Sequence, residues 1–112
     1  MIDQIRPGEL AGWFARNPGA APVVLDVREP WELQTASIAP DGFALVTIPM
    51  NEVPARLAEL ASGQRIACLC HHGARSQRVA AFLAQNGFAE VANIAGGIDA
   101  WSAQRDPGVL RY

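Results

Sequence analysis

Short apolar runs that alternate with stretches of helical period constrain this chain more than anything else in it. Val23-Val24-Leu25-Asp26-Val27 is continuous and β-branched, the pattern of a strand covered on both faces. Ala44-Leu45-Val46-Thr47-Ile48 and Ile66-Ala67-Cys68-Leu69 read the same way, and Val91-Ala92-Asn93-Ile94 is a weaker case. Between them, Leu10, Trp13 and Phe14 fall at helical spacing after Pro7, and Pro18-Gly19 closes that segment. A second helix is expected from about Pro30 to Thr35. Val53, Leu57, Leu60 and Ala61 share one face of a third, with Asn51 as N-cap and Gly63 as stop. Val79, Phe82 and Leu83 line a fourth that ends at Asn86-Gly87, and a fifth spans about Ile98 to Gln104. This alternation predicts one α/β domain over residues 1–112, with a parallel sheet and helices on both faces.

A chain of 112 residues, half of them hydrophobic, is long enough to build a single two-faced core. No stretch approaches the roughly 20 apolar residues that a membrane helix needs. Met1-Ile2-Asp3-Gln4-Ile5-Arg6 has neither a basic start nor an apolar run, so no secretory signal is expected and the cytoplasm is the expected compartment. A net charge of −2 gives no basic face for phosphate, so neither nucleic acid nor membrane is expected as a partner. All nine basic residues are Arg, so an anion site here must use Arg or backbone amides. On one strand Cys68 and Cys70 would lie about 6.5 to 7 Å apart with parallel side chains, which rules out a disulfide between them.

In open parallel sheets, sites form beyond the carboxyl ends of the strands. The run Ile66 to Leu69 delivers Cys70 to such an end, and Cys70-His71-His72-Gly73-Ala74-Arg75-Ser76 leads into the helix of Val79 and Phe82. A thiol there faces turn amides and the positive end of a helix, and both favour an anion. Gly73 lets the backbone curl around the sulfur, and Arg75 adds a permanent charge suited to an anionic substrate. The same cradle would suit a persulfide, whose terminal sulfur is also anionic. Cys68 lies inside the strand run and is expected to be a packed, unreactive thiol.

Three segments together resemble the rhodanese (thiosulfate sulfurtransferase) family in its single-domain form. They are Leu25-Asp26-Val27-Arg28-Glu29-Pro30-Trp31-Glu32, the Cys70 to Ser76 loop, and Asn93-Ile94-Ala95-Gly96-Gly97-Ile98-Asp99-Ala100-Trp101. The resemblance implies a parallel five-stranded sheet, with a fifth short strand near Gln4 to Arg6 that the apolar pattern does not reveal. It also implies a persulfide intermediate on Cys70, formed from a small anionic sulfur donor and passed to cyanide, a thiol or a protein acceptor. No cofactor is required by such a reaction. Where members commonly carry His-Ile-Pro-Gly-Ala, this chain reads Ser37-Ile38-Ala39-Pro40-Asp41-Gly42, without the His.

On this reading Cys70 and Arg75 are the catalytic candidates, and His71, His72, Gly73, Ala74, Ser76 and Arg28 the substrate-binding ones. His71 and His72 line the mouth or are simply solvated. Arg28 is expected to add positive potential, while Asp26 is expected to form a structural ion pair. Trp13, Trp31 and Trp101 are read as core or rim packing. Cys68-x-Cys70-His71-His72 lacks the second ligand cluster of a zinc site, so no metal is expected. Two alternatives stay open. One is a phosphatase, because related folds close a Cys loop on Arg, with one residue more than separates Cys70 from Arg75. The other is a non-enzymatic sulfur-relay or sensing module.

Overall fold

Five parallel strands carry the fold in the computed structural model, which describes residues 2–112. They are β1 (Asp3–Ile5), β2 (Pro22–Asp26), β3 (Ala44–Thr47), β4 (Arg65–Leu69) and β5 (Val91–Ile94), in the spatial order β1-β5-β4-β2-β3. The helices are α1 (Leu10–Ala15), α2 (Pro30–Thr35), α3 (Ala74–Gln85) and α4 (Gly97–Gln104). β4 is buried along its whole length, as the unbroken apolar run requires. β2 and β4 pair from Pro22↔Arg65 to Asp26↔Leu69, so both strands end level with one another.

Side-chain alternation along the strands divides the core into two layers. Val24, Ala67, Leu69, Ala92 and Ile94 face Leu10, Trp13, Ile98 and Trp101 on the α1 and α4 side. Val23, Leu25, Ile66, Cys68 and Val91 face Val53, Val79, Ala80 and Leu83 on the α3 side. Helices therefore cover both faces, and two residues in succession on a central strand both find apolar cover.

Two expectations are corrected. The segment from Asn51 to Gly63 forms no α-helix. It makes two short 3-10 turns, Met50–Glu52 and Leu57–Glu59, linked by turns. Pro54 has no N–H to donate, and the bonds Val53 N to Met50 O and Leu60 N to Leu57 O close three-residue turns instead of four-residue ones. β3 is an edge strand with partly or fully exposed residues, although its apolar run resembles a doubly covered one. β1, the strand implied only by resemblance, is present as the other edge and pairs with β5. Among the described residues, no helix is long and apolar enough to cross a membrane.

Candidate active site

β4 ends at Leu69, and the chain turns through Cys70 to Gly73 before α3 begins at Ala74. Gly73 makes that turn possible. It caps α3 with φ +110, a conformation that side chains disfavour. The Gly73 amide donates to Cys70 Sγ at 3.0 Å, and the Ser76 hydroxyl lies 3.2 Å from the same sulfur. The first helical bond of α3 runs from Gln77 N to Gly73 O. The amides of Ala74, Arg75 and Ser76 therefore have no carbonyl within the helix to donate to. Cys70 sits at the floor of this cradle, 1% exposed.

The loop is held from behind by α4. Ile98 N donates to Cys70 O at 2.8 Å, and Asp99 N donates to His71 O at 3.3 Å. This close approach needs Gly97, because a Cβ there would overlap both carbonyl oxygens. Asn93 of β5 joins the cradle from the sheet side. Its Oδ1 accepts from Ser76 Oγ, while its Nδ2 donates to Gln4 Oε1 at 2.9 Å.

Arg75 does not point freely into solution. Its two terminal nitrogens donate to the two carboxylate oxygens of Glu32, each at 2.7 Å. Glu32 is 2% exposed and also accepts from the Glu29 amide and the Tyr112 hydroxyl. The Arg75 hydrogen bonds, helped by those two donors, outweigh burial and lower its pKa to about 2. In return, the bond to Glu32 raises the pKa of Arg75, so both groups stay ionised.

Arg28, expected at the mouth, lies inside the molecule with 0% exposure. It forks onto Asp26 through Nε (2.9 Å) and Nη2 (2.8 Å), and Nη1 donates to Ala36 O, Glu32 O and the Tyr112 hydroxyl. Nε, Nη1 and Nη2 each donate internally and the side chain is wholly buried, so Arg28 ties the end of β2 to α2 and does not reach a substrate. The structural ion pair expected for Asp26 is the one seen. His71 is half-buried and His72 exposed, and their rings stack at 3.9 Å. His71 also stacks on Tyr112 at 3.9 Å, and its Nε2 donates to the Tyr112 backbone oxygen at 2.7 Å. Ala74 is exposed and Ser76 buried. Cys68 is fully buried against the α3 layer, and burial pushes its thiol far up, away from ionisation.

Glu32, Asn93, Gly97 and Tyr112 therefore belong to the site although the sequence did not mark them as functional. The first three lie in the segments that carry the family resemblance, which was the available signal. Tyr112 had none, since it reaches His71 across 41 residues.

Comparison with known proteins agrees with this geometry. Residues 10–104 match the model of the rhodanese-like domain. A sulfurtransferase from Allochromatium vinosum is 36% identical over 91% of this chain and 90% of its own length. An adenylyltransferase and sulfurtransferase from Zea mays is 35% identical over 86% of this chain, which spans only 20% of that protein. The crystal structure of a rhodanese-related protein from Thermoplasma volcanium superposes with a TM-score of 0.74 at 32% identity, covering 98% of this chain and 99% of that one. The match along most of the chain, on a parallel sheet that ends in a cysteine loop, shows that the chain belongs to the rhodanese-like domain family.

Proposed function

We propose that this domain is a sulfurtransferase that accepts sulfane sulfur on Cys70 as a persulfide and hands it to a nucleophile such as cyanide or a thiol. The observation that carries the reading is the sulfur cradle, in which Cys70 Sγ receives the Gly73 amide at 3.0 Å beneath the unpaired amides of the first turn of α3. These fixed dipoles suit an anionic sulfur, whether thiolate or persulfide.

The first half-reaction needs the Cys70 thiolate, formed by loss of its proton to solvent. The thiolate attacks the sulfane sulfur of a donor such as thiosulfate. An Sγ–S bond forms, the donor's S–S bond breaks, and its electron pair leaves with sulfite. In the second, the acceptor attacks the terminal sulfur and Cys70 leaves as thiolate; with cyanide the product is thiocyanate. Two half-reactions through one covalent intermediate give double-displacement kinetics. The narrow loop suits the transfer of one sulfur atom, and the amides of Ala74, Arg75 and Ser76, which have no acceptor within the helix, support this reading.

The test is intact mass after incubation with a sulfane-sulfur donor. The protein should gain about 32 mass units, lose them to cyanide, and gain nothing as Cys70→Ser. A Cys70→Ser protein that still gains the mass would make Cys68 the carrier. Phosphate release from an aryl phosphate, without any sulfur loading, would replace the assignment with phosphoester hydrolysis.

A further inference from the structure

We propose that Glu32 sets the donor preference of this site: by neutralising Arg75 it disfavours doubly charged thiosulfate and favours an organic persulfide. The proposal rests on the sulfur-transfer reading above and narrows it to one class of donor.

Glu32 reaches the loop from α2, 43 residues before Arg75 in sequence. Its Oε1 accepts from Arg75 Nη2 and the Tyr112 hydroxyl, and its Oε2 accepts from Arg75 Nη1 and the Glu29 amide. Two acceptor contacts on each oxygen saturate the carboxylate. An anionic donor that drew the Arg75 fork toward itself would leave a carboxylate with 2% exposure short of two charge-assisted bonds. Two further guanidinium groups around the loop offer no substitute. Arg28 is locked on Asp26, and Arg111 is bidentate on Asp99 at 2.9 and 3.0 Å. Arg28, Arg75 and Arg111 are thus each matched by a carboxylate, whereas Arg78, one turn along α3, is exposed and lines the groove beside Met50 and Val53. A matched pair presents a dipole where a lone cation would present a charge.

The two donor classes differ in what they ask of such a mouth. Thiolate plus thiosulfate gathers three negative charges, which persist in the persulfide and the departing sulfite. Thiolate plus an organic persulfide gathers two when the donor is ionised and one when it is the hydropersulfide, the form whose terminal sulfur the thiolate attacks. Cys70 attacks the terminal sulfur, an Sγ–S bond forms, the donor's S–S bond breaks, and the electron pair leaves with the organic thiolate. The proton stays on the transferred sulfur. A mouth whose cations are already paired supports the single charge and not the threefold one.

The experiment measures loading of Cys70 by thiosulfate and by a small uncharged-chain alkyl persulfide generated in situ, on wild type and on Glu32→Gln. Wild type should show a kcat/KM for the persulfide at least about 100-fold above that for thiosulfate. Glu32→Gln, which keeps an acceptor but releases the charge of Arg75, should move the ratio toward thiosulfate by about tenfold, mainly through the thiosulfate KM. A wild type that prefers thiosulfate overturns the proposal without any variant, so poor folding of Glu32→Gln cannot shelter it. A ratio unchanged in a folded Glu32→Gln protein overturns it as well. Loading by neither donor would instead overturn the sulfur-transfer reading on which it stands.

Discussion

At the scale of single residues, the candidate site is organised by pairing: Cys70 with the Gly73 amide, Arg75 with Glu32, and Arg28 with Asp26. The sequence sets Cys68 within a strand run and Cys70 at its end, and the structure has Cys68 inside β4 and Cys70 in the loop that follows. The burial of Arg28 was not legible, because a strand end gives a residue's place and not the direction of a long, flexible side chain. Only the fold shows that Asp26, Ala36 and Tyr112 converge to take up its guanidinium. Glu32 carries a consequence for stability at this scale. Its folded-state pKa of about 2 lies below its ordinary 4.5, so its anion stabilises the fold fully above 4.5, and that contribution falls away as pH drops toward 2. Glu32→Gln should therefore lower unfolding free energy at neutral pH by on the order of 2 kcal/mol. The gap to wild type should close between pH 4.5 and about 2 in urea titrations. A gap that stays constant through that window would mean the loss comes from packing and not from the ionised carboxylate.

At the scale of elements, a cap that closes on the backbone fixes a boundary, and a nominal cap residue such as Asn51 does not. Glu29, with Pro30 at the first helical position and Glu32 returning to the Glu29 amide, marks α2 at Pro30–Thr35 as expected. The stretch around Val53 to Ala61 had the apolar spacing of a helix, but Pro54 and the local three-residue turns prevailed over the spacing. β1 is three residues long and carries one buried side chain, too little for periodicity to register. The contact between α4 and the cysteine loop was equally invisible, since it depends on two segments meeting in space. It makes a sharp prediction through glycine. Gly97→Ala places a Cβ against the carbonyls of Cys70 and His71, so the bond from Ile98 N must break or the loop must shift. Gly87 has a similar positive φ, +89, but open space around it. Gly87→Ala should cost only about 1 kcal/mol of backbone strain and retain sulfur transfer. Gly97→Ala should lose sulfur transfer by about 100-fold or more, because a displacement near 1 Å at the nucleophile is costly. Equal activity in the two variants would show that α4 does not position the loop.

At the scale of the whole molecule, the α/β class and the cover on both faces followed from strand–helix alternation, whereas the strand order did not. Alternation fixes what each run becomes, but not that β4 lies between β2 and β5. Charge is organised at the same scale. Seven of the nine arginines form ion pairs with carboxylates, which leaves Arg6 and Arg78 as the exceptions among the described residues. Near the loop, Arg28, Arg75 and Arg111 are all among the paired ones, and the chain as a whole carries a net charge of −2. Such a molecule does not steer an anion toward Cys70. A cationic funnel would raise the on-rate at low ionic strength and lose that gain as salt screens it. Here an anionic donor meets a weakly negative body and a mouth of matched pairs, so screening removes mild repulsion instead of attraction. The second-order rate of Cys70 loading by thiosulfate should accordingly stay flat or rise by less than about twofold between about 20 and 200 mM salt. Stopped mass-spectrometric time courses at several salt concentrations measure it directly. A rate that falls steeply over that range would reveal an uncompensated cation at the mouth, and the pairing of Arg75 with Glu32 could not then be the state that meets the donor.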